Sequence, residues 1–285
     1  MSLKESTLFG DRDKIAIAIE RIKTFEPIAL QNNPAGYYVC ISGGKDSSVI
    51  QELCIMAGVT CEFVHNHTSV DHPETVYFIR REKERLEKMG NIFRIEYPRF
   101  ADGRQKTMWN GIEKKGLPTR MSRWCCQELK ESNGKGRYLI TGVRWSESPK
   151  RKNRGLFEKR GGNKDKRVIL NNDNDGCRRS FEICATKGTF ILNPIIDWTD
   201  YDVWDFVNLK ELPTNPLYRQ GYKRVGCIAC PLAGKQEIEL RKYPKYKAAY
   251  FRAVQRHFEY RKERGLKCEG TLVSPENYFE WWLRG

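Results

Sequence analysis

The segment Tyr37–Ile50, with the sequence YYVCISGGKDSSVI, constrains the fold of this chain more than any other segment. Its first residues form a short apolar run rich in β-forming side chains, which predicts a buried strand. The run breaks at Ser42-Gly43-Gly44, and an apolar-periodic segment that predicts a helix follows. Two glycines let backbone N–H groups converge, and the N-terminus of a helix carries partial positive charge. The segment therefore predicts a phosphate-binding loop between a strand and a helix.

Asp46 distinguishes this loop from a Walker A loop, because the spacing G-x-x-x-x-G-K-[ST] is absent. A carboxylate in a phosphate loop would repel the ligand unless a divalent cation lay between them, so we expect Asp46 to bind Mg²⁺. We also expect Lys45 to contact the phosphates. The alternative is a glycine-rich turn without a chemical role, and the order of strand, turn and helix argues against it.

The loop resembles the S-G-G-x-D-S signature of the PP-loop ATP pyrophosphatases (adenine nucleotide α-hydrolases), which it matches from Ser42 to Ser47. In that superfamily the loop holds the pyrophosphate of ATP while the α-phosphate is attacked, and an adenylated intermediate forms. The resemblance implies that the amides of Gly43 and Gly44, together with Lys45, hold the pyrophosphate and stabilise developing charge.

Length and composition limit the class of protein. A chain of 285 residues with 39% hydrophobic content is long enough for an α/β domain with an appendage, or for two small domains. Without a membrane-length apolar run or a signal peptide, we expect a cytoplasmic protein with no membrane partner. The 51 Lys and Arg residues against 36 acidic ones give a formal charge of +15, which favours nucleotides or nucleic acid as partners. A basic but ordinary surface is the alternative.

Strand and helix patterns alternate after the loop, which predicts a doubly wound parallel α/β sheet with its ligand at the carboxyl ends of the strands. We place this domain at residues 1–210 and a smaller helical region with a Cys-x-x-Cys pair at residues 211–285. An early helix is expected to end near Pro27, and a later one at residues 200–209 to be capped by Thr199 or Asp200. The polar stretch 150–175, dense in Lys and Arg, predicts a long mobile loop.

Two cysteine pairs could bind one metal centre. Cys125 and Cys126 are adjacent, and Cys227 and Cys230 form Cys-x-x-Cys. A vicinal pair suits the tetrahedral closure of zinc poorly, whereas an iron–sulfur cube offers separate irons to separate sulfurs. The pattern favours a [4Fe–4S] cluster, with zinc or a redox dithiol as alternatives. The other cysteines considered are expected to be structural: Cys40, Cys54, Cys61, Cys177 and Cys184.

The cysteine arrangement resembles the iron–sulfur ligands of the adenylylsulfate (APS) reductases, which belong to the phosphoadenosine phosphosulfate (PAPS) reductase family. Three further segments resemble motifs of that family in order: residues 68–75 (TSVDHPET), 142–151 (GVRWSESPKR) and 193–199 (NPIIDWT). The aspartate that begins the family's second nucleotide motif aligns with His67, so its role does not carry over.

The resemblance implies several site roles: ribose or metal binding by Asp71, Glu74 and Glu147, phosphate neutralisation by Arg144, and nucleotide binding by Gly142 and Ser148. Alternatives exist for the carboxylates. Glu147 could pair with Arg144 or Arg151 on the surface. Asp71 and Glu74 could cap the helix that follows Pro73.

Two departures bear on the activity. Sulfonucleotide reductases end in Glu-Cys-Gly-x-His, whereas this chain closes without cysteine, and Cys268-Glu269-Gly270 does not match that tail. Those enzymes also carry a degraded phosphate loop, whereas this loop keeps the full signature. We therefore expect ATP pyrophosphate cleavage coupled to sulfur transfer onto nucleic acid, as in the ATP-hydrolysing component of DNA phosphorothioation systems and the iron–sulfur tRNA thiolases.

The expected cofactors are ATP, Mg²⁺ and the [4Fe–4S] cluster. The expected partners are DNA or tRNA and a sulfur donor such as a cysteine desulfurase, and the basic stretch after Arg144 would favour a nucleic acid. One alternative is a sulfonucleotide reductase that releases sulfite from APS or PAPS. The other is a non-catalytic nucleic-acid-binding accessory protein that keeps a nucleotide as a structural ligand.

Overall fold

A computed structural model describes residues 3–7, 10–131, 133–160, 168–170, 189–267 and 270–284 of the chain. The chain divides into two compact units whose segments alternate along the sequence. The first unit comprises Met1–His65, Tyr77–Ile95 and Gly134–Val225. The second comprises Asn66–Val76, Glu96–Asn133 and Gly226–Gly285. This division differs from the single predicted boundary near residue 210, because two internal segments of the chain contribute to the second unit.

The first unit contains a seven-stranded sheet and a small antiparallel hairpin. The strands of the hairpin are β1 (Lys4–Thr7) and β2 (Gly10–Asp13). The sheet strands are β3 (Tyr37–Cys40), β4 (Cys61–Asn66), β5 (Ile92–Glu96), β6 (Tyr138–Ile140), β7 (Phe157–Lys159), β8 (Val168–Leu170) and β9 (Phe190–Leu192). Their order across the sheet is β5-β4-β3-β6-β9-β7-β8. The predicted α/β class with a mostly parallel sheet is confirmed.

Strand β3 lies inside the sheet, parallel to β4 on one side and to β6 on the other. Strand β9 extends this parallel part next to β6. Tyr37, Val39 and Ile140 are completely buried, which agrees with the continuous apolar runs expected of parallel strands covered on both faces. The loop after β3 therefore leaves the sheet at the carboxyl end of a buried parallel strand.

The first unit contains the helices α1 (Lys14–Asn32), α2 (Lys45–Ala57), most of α3 (Pro73–Lys88) and α5 (Asp200–Leu209). Helix α4 (Met108–Lys115), which precedes α5 in the chain, belongs to the second unit. The prediction that α1 ends near Pro27 is wrong, since the helix continues through this proline to Asn32. Burial of Phe25 and Ala29 against the core compensates for the hydrogen bond that proline cannot donate. Thr199 caps α5, as one of the two predicted possibilities.

Part of the predicted long loop is instead sheet. Strand β7 pairs antiparallel with both β9 and β8, which adds an antiparallel edge to the parallel sheet. The physical reason is apolar burial, since Phe157 and Leu170 lie in the core and Phe157 stacks on Phe25 with ring centroids 4.7 Å apart. Residues 161–167 and 171–175 of that stretch, with Cys177, Cys184 and Cys268, lie outside the described residues.

The second unit is mainly helical, with α4 (Met108–Lys115), α6 (Gln236–Lys242), α7 (Pro244–Glu263) and α8 (Pro275–Arg284). Helix α6 ends just before Pro244, and α7 begins at this proline, which is tolerated in the first turn of a helix. Trp124, Tyr250 and Trp282 fill the core of this unit, and the side chains of Arg252 and Arg256 on α7 are exposed. Among the described residues, no helix combines the length and apolar character needed to cross a membrane.

Candidate functional site

The predicted loop joins β3 to α2 in the first unit. Gly43 adopts φ +77°, a left-handed conformation that favours glycine. Gly44 is the N-cap of α2, and its carbonyl accepts hydrogen bonds from Ser47 Oγ at 2.7 Å and from the N–H of Ser48 at 3.1 Å. Ser42 Oγ lies 3.2 Å from Ser47 Oγ. The two serines of the signature thus brace the turn from within, and the first backbone N–H groups of α2 remain directed out of the helix.

Four charged side chains meet beside this loop. Lys45 Nζ lies 2.9 Å from Oδ1 of Asp200 and 3.3 Å from Oδ2 of Asp46. The Arg144 guanidinium lies 2.6 Å from Oδ1 of Asp46 and 3.0 Å from Oδ1 of Asp200. Lys45 and Arg144 are buried, whereas the Asp200 side chain is 62% exposed. The cluster therefore contains two cations held in place by carboxylates, one of which is open to solvent.

Arg144 is held by the turn that follows β6. Its guanidinium donates to Ser146 Oγ at 2.8 Å as well as to the two carboxylates, which fixes the orientation of the planar group. Glu147 accepts a hydrogen bond from the Arg144 N–H at 3.2 Å and pairs with Arg151. This pairing is the alternative to ribose or metal binding that the sequence analysis gave for Glu147. The binding role of Glu147 stays a prediction.

Gly142 and Ser148 begin and end this turn. A Cβ on Gly142 would lie 2.9 Å from the backbone oxygen of Asp46, so glycine permits the close approach of β6's loop to the first turn of α2. Ser148 has an extended backbone, and its carbonyl accepts from the Arg151 N–H at 2.8 Å. Gly142 therefore contacts the predicted site through backbone packing, while the predicted contact of Ser148 with a nucleotide stays a prediction.

The structure adds Asp200 to the predicted residues. Sequence reasoning considered Asp200 only as a helix cap, and Thr199 fills that role. Burial would raise the pKa of Asp200, but hydrogen bonds from Lys45 and Arg144 outweigh it and hold the pKa below its usual range. A usable signal was present, since Asp200 follows the NPIIDWT segment after a parallel strand, where site residues of such sheets lie.

Tyr218 is a second residue that the sequence analysis missed. The N–H of Lys45 donates a hydrogen bond to the Tyr218 hydroxyl at 2.9 Å. Asn215 Nδ2 donates to the carbonyl of Gly43 at 3.1 Å. The segment that carries these residues, a short 3₁₀ helix at Pro216–Gln220, therefore contacts the phosphate loop at two successive points. Nothing in its local sequence pattern indicates this long-range contact.

The prediction that Asp46 binds Mg²⁺ concerns the same cluster. Both carboxylate oxygens of Asp46 contact cations, Oδ1 with Arg144 and Oδ2 with Lys45. Asp200 brings a second carboxylate to the same guanidinium, and a pair of carboxylates is a donor set that suits a hard divalent cation. The residues present fit Mg²⁺, and its binding stays a prediction.

The four predicted metal ligands lie together in the second unit. Cys125, Cys126, Cys227 and Cys230 line one cavity of about 40 Å³. Cys126 begins a π-helical turn at Cys126–Lys130, and the backbone of Cys227 forms an antiparallel bridge with Asp71. Two distant parts of the chain thus bring four half-buried sulfur atoms to one place, and the donor set fits a thiolate-bound metal centre.

Electrostatics favour thiolate at Cys126, whereas the hydrogen bond with Cys126 raises the pKa of Cys125 and burial raises the pKa of Cys227. The hydrogen bond from Cys125, together with the guanidinium of Arg123, lowers the pKa of Cys126 to about 5 against the effect of burial. The Arg123 guanidinium lies 3.6 Å from Cys126 Sγ. The charge of Cys227 raises the pKa of Lys130, which keeps a second cation beside the sulfurs. Thiolates are the form that binds metals, so Cys126 is the sulfur best prepared to bind one, whereas Cys125 and Cys227 would release a proton on binding.

Asp71 and Glu74, predicted to hold ribose or metal, also lie in the second unit. Asp71 accepts a hydrogen bond from the Thr68 N–H at 2.8 Å, and its Oδ1 lies 4.0 Å from Cys227 Sγ. The Glu74 carboxylate accepts from the Tyr243 hydroxyl at 3.1 Å. Asp71 is therefore a neighbour of the cysteines, and the predicted binding roles of both carboxylates stay predictions.

Comparisons with known proteins agree with these motifs. Residues 36–233 match the family model of the phosphoadenosine phosphosulfate reductase domain. An uncharacterized protein of Methanocaldococcus jannaschii is 29% identical over 204 residues, which cover 69% of this chain and 42% of that protein. The chain therefore spans less than half the length of this relative.

Two further similarities concern proteins with a named activity. An adenosine 5'-phosphosulfate reductase of Staphylococcus haemolyticus is 29% identical over 200 residues, which cover 68% of this chain and 69% of that protein. Among solved structures, the U34-tRNA thiolase NcsA of Methanococcus maripaludis, determined with its [4Fe–4S] cluster, aligns with a TM-score of 0.44 and 13% identity. That alignment covers 93% of this chain and 87% of the thiolase.

Proposed function

Since the chain belongs to the phosphoadenosine phosphosulfate reductase domain family, within the nucleotide-binding PP-loop superfamily, we propose that it is an ATP pyrophosphatase. In this proposal the enzyme splits ATP into AMP and pyrophosphate and so activates an oxygen of a nucleic acid for replacement by sulfur. The observation that carries the proposal is the pair of buried cations, Lys45 and Arg144, at a complete phosphate loop on the carboxyl end of β3.

The loop and its cations have distinct tasks in this reaction. The N-terminal N–H groups of α2 and the ammonium of Lys45 bind the pyrophosphate part of ATP, whose negative charge grows as the bond to the α-phosphate breaks. Arg144 contacts the α-phosphate, where its fixed planar group orients two oxygens. A Mg²⁺ ion held by Asp46 and Asp200 would supply Lewis-acid stabilisation of the phosphate oxygens.

The exposed carboxylate of Asp200 explains how these cations become available. Asp200 Oδ1 accepts hydrogen bonds from both Lys45 and Arg144. Phosphate oxygens offer the same acceptor geometry with more negative charge, so a bound nucleotide replaces part of these contacts. The site is thus charged and ordered before the ligand arrives, which reduces the cost of organising it.

The second unit carries the proposed sulfur chemistry. Cys125, Cys126, Cys227 and Cys230 would hold a [4Fe–4S] cluster, and the low pKa of Cys126 supports ligation without an added base. When bound, the cluster would supply iron for sulfur delivery. Arg123 and Lys130 place positive charge beside the four sulfurs and stabilise a negatively charged thiolate centre.

The acceptor in this proposal is a nucleic acid, either tRNA or DNA. A formal charge of +15 favours a polyanion. Within the described residues, Lys150 and Lys152 after the Arg144 turn and Lys159 at the end of β7 are exposed. The sulfur itself would come from a donor protein such as a cysteine desulfurase.

Sulfonucleotide reduction is a second candidate. It is favoured by the 29% identity to the adenosine 5'-phosphosulfate reductase of Staphylococcus haemolyticus, which extends over two thirds of both chains. The same loop and cations would bind the phosphate of APS or PAPS, and a thiol reductant such as thioredoxin would release sulfite. This candidate and the pyrophosphatase therefore share the nucleotide site and differ in the bond that breaks.

An anaerobic assay separates the candidates. The protein is incubated with ATP and Mg²⁺, alone, with tRNA or with DNA, and pyrophosphate is measured; a parallel reaction contains APS or PAPS with thioredoxin and is assayed for sulfite. The proposal expects pyrophosphate that rises with one polymer and disappears in Lys45→Ala. Lys23→Ala, an exposed lysine on α1, is the matched control and retains the activity.

Sulfite release without pyrophosphate would instead establish the reductase. Neither product, in protein that binds a nucleic acid and retains its iron, would contradict both enzymes and leave a non-catalytic accessory protein.

A further inference from the structure

The hydroxyl of Tyr218 lies at the first N–H of the phosphate loop helix. It accepts the hydrogen bond from the Lys45 N–H at 2.9 Å, and a Cβ on Gly44 would lie 3.3 Å from it. This N–H is one of the orphan donors at the N-terminus of α2. The phenol oxygen therefore sits directly against the part of the loop that faces a bound phosphate.

Neighbouring contacts hold the phenol in this place. The ring packs edge-on against Trp204 with centroids 5.2 Å apart. Asn215, which is buried, bonds the Gly43 carbonyl through its amide group and caps the turn by accepting from the Leu217 N–H at 3.1 Å. Trp204 holds the ring of Tyr218, and Asn215 holds the segment that carries it against the phosphate loop.

The hydroxyl also keeps a proton to donate. Burial raises the pKa of Tyr218 to about 12, so the phenol is neutral at physiological pH. Within the part of the chain that the structure describes, no acceptor is in hydrogen-bond contact with this proton. A hydroxyl that accepts from an N–H becomes a stronger donor, because the two hydrogen bonds polarise each other.

Charged groups of both signs lie near the hydroxyl, since the carboxylates of Asp46 and Asp200 add to the rise of the Tyr218 pKa. The guanidinium of Arg224 is near enough to oppose the rise of the Tyr218 pKa. The pKa of Arg151 is lowered mainly by its own burial, and the charge of Arg224 lowers it further. Arg224 is exposed and forms no ion pair among the described residues. Arg224 therefore places positive charge near the phenol, which a bound phosphate group would neutralise.

From this geometry we infer that Tyr218 is a further phosphate-binding residue, whose hydroxyl accepts from the Lys45 N–H and donates its own proton to a phosphate oxygen of the bound nucleotide. The inference rests on the proposed nucleotide site and adds a neutral donor to its cations. The ligand group is a terminal, tetrahedral phosphate oxygen, as in pyrophosphate or the β- and γ-phosphates of ATP. Tyr218 thereby extends the row of N–H donors by one O–H group.

The test measures binding of inorganic pyrophosphate and of a non-hydrolysable ATP analogue by calorimetry in the full chain. Tyr218→Phe keeps the ring on Trp204 and removes the hydroxyl, and we expect an affinity about tenfold lower for both ligands. Tyr201→Phe is the matched control, since Tyr201 is 81% exposed on α5, and we expect no change. Lys45→Ala serves as the reference for loss of the site.

A spectroscopic measurement reports on the hydroxyl in the wild-type protein itself. If the hydroxyl donates to phosphate, pyrophosphate binding perturbs the near-ultraviolet absorbance of a buried tyrosine in the wild-type protein. We expect this difference spectrum in wild type and in Tyr201→Phe and expect its loss in Tyr218→Phe.

The outcomes separate this inference from the proposed function. Weaker binding in Tyr218→Phe, with loss of binding in Lys45→Ala, supports both. Unchanged or tighter binding in Tyr218→Phe while Lys45→Ala abolishes it overturns the inference alone, and tighter binding would mean that the hydroxyl competes with the ligand. Absence of binding in the wild-type protein overturns the nucleotide site and the inference together.

Discussion

Lys45 Nζ and Oδ1 of Asp200 lie 2.9 Å apart, and the same oxygen accepts a hydrogen bond from Arg144 at 3.0 Å. One carboxylate oxygen thus joins the two buried cations beside the phosphate loop. Since the Asp200 side chain is 62% exposed, an entering ligand can reach this oxygen without unfolding its surroundings. The Asp200 carboxylate therefore competes with a bound anion for both cations.

This competition predicts the effect of Asp200→Asn. In the absence of Mg²⁺, we expect the variant to bind pyrophosphate about threefold more tightly, because an exposed ion pair that must be broken costs up to about 1 kcal/mol. Calorimetric titration with EDTA present measures the change. Asp102→Asn, which removes an exposed carboxylate paired with Arg104 in the second unit, is expected to leave the affinity unchanged.

Addition of Mg²⁺ gives the second half of this experiment. If Asp200 shares a divalent cation with Asp46, the advantage of Asp200→Asn disappears or reverses when Mg²⁺ is present. Weaker pyrophosphate binding by the variant without Mg²⁺ would contradict the competition and would assign Asp200 to orienting the cations instead.

Gly142 offers a test of backbone packing at the loop. A Cβ there would lie 2.9 Å from the Asp46 backbone oxygen and 3.0 Å from the Asp46 Cβ, so Gly142→Ala forces the first turn of α2 to move. We expect a loss of about 1–3 kcal/mol in the free energy of unfolding and pyrophosphate binding at least tenfold weaker. Urea unfolding and calorimetry measure the two effects.

A matched glycine variant serves as the control for this prediction. Gly226→Ala adds the same methyl group at a position with no neighbouring atom within 4 Å and without a positive φ, so both quantities should stay near the wild-type values. Equal behaviour of the two variants would mean that the loop tolerates displacement and that its geometry matters little for binding.

The sequence was sufficient to predict the strand, turn and helix around Ser42–Ser47, because this information is local. The glycine pair, the apolar run before it and the periodic segment after it are contiguous in the chain. Asp200 and Tyr218 could not be assigned in the same way. Their roles depend on contacts with Lys45 that form only when distant segments pack. The position of Asp200 after the NPIIDWT segment indicates a site residue but not its partner, and the sequence around Tyr218 gives no such indication.

The fold shows the same division between local and long-range information. The parallel strand β3 was predicted from its apolar run, and the parallel sheet from the alternation of strand and helix patterns, whereas β7 and β8 were missed inside a stretch rich in Lys and Arg. The buried Phe157 and Leu170 explain why strands form in that stretch, because apolar burial in the sheet outweighs the polar character of the residues around them. The division into two units was beyond local patterns, since each unit is assembled from three separate segments.

The four clustered cysteines predict metal content. We expect Cys125→Ser, and likewise serine at Cys126, Cys227 or Cys230, to lose most of the iron and acid-labile sulfide of anaerobically purified protein, because a thiolate is lost from one shared cavity. Cys40→Ser is the control and retains both, since burial raises the pKa of Cys40 to about 12 and keeps it a thiol.

Elemental analysis distinguishes the kinds of metal centre. Zinc without sulfide in the wild-type protein, lost in the same variants, would replace the iron–sulfur cluster by a zinc site. Iron that survives all four substitutions would contradict the assignment of these cysteines as ligands.

The contacts of the Asp197 carboxylate predict how the free energy of unfolding depends on pH. Arg21 donates to its two carboxylate oxygens at 2.8 and 3.0 Å, and Arg12 donates to one of them at 2.6 Å. Burial would raise the pKa of Asp197, but these hydrogen bonds outweigh it and lower the pKa. A lowered pKa in the folded state stabilises the protein above the unfolded pKa of about 3.9, and this stabilisation is lost as the pH falls through the folded pKa.

We therefore expect Asp197→Asn to lower the free energy of unfolding at pH 7 by about 3 kcal/mol, because the buried Arg21 loses its counter-charge. The difference from wild type should remain constant between pH 7 and about pH 5. It should shrink below about pH 3.9, where Asp197 of the unfolded wild-type protein takes up a proton, and continue to shrink as the pH falls through the lower pKa of the folded state. Urea unfolding at several pH values measures this difference.

Asp11→Asn is the control, because Asp11 is an exposed carboxylate that accepts a hydrogen bond from Ser6. This variant should change the free energy of unfolding little at any of these pH values. A difference between Asp197→Asn and wild type that persists at pH 3 would show that the lost stability comes from packing rather than from the charge of Asp197.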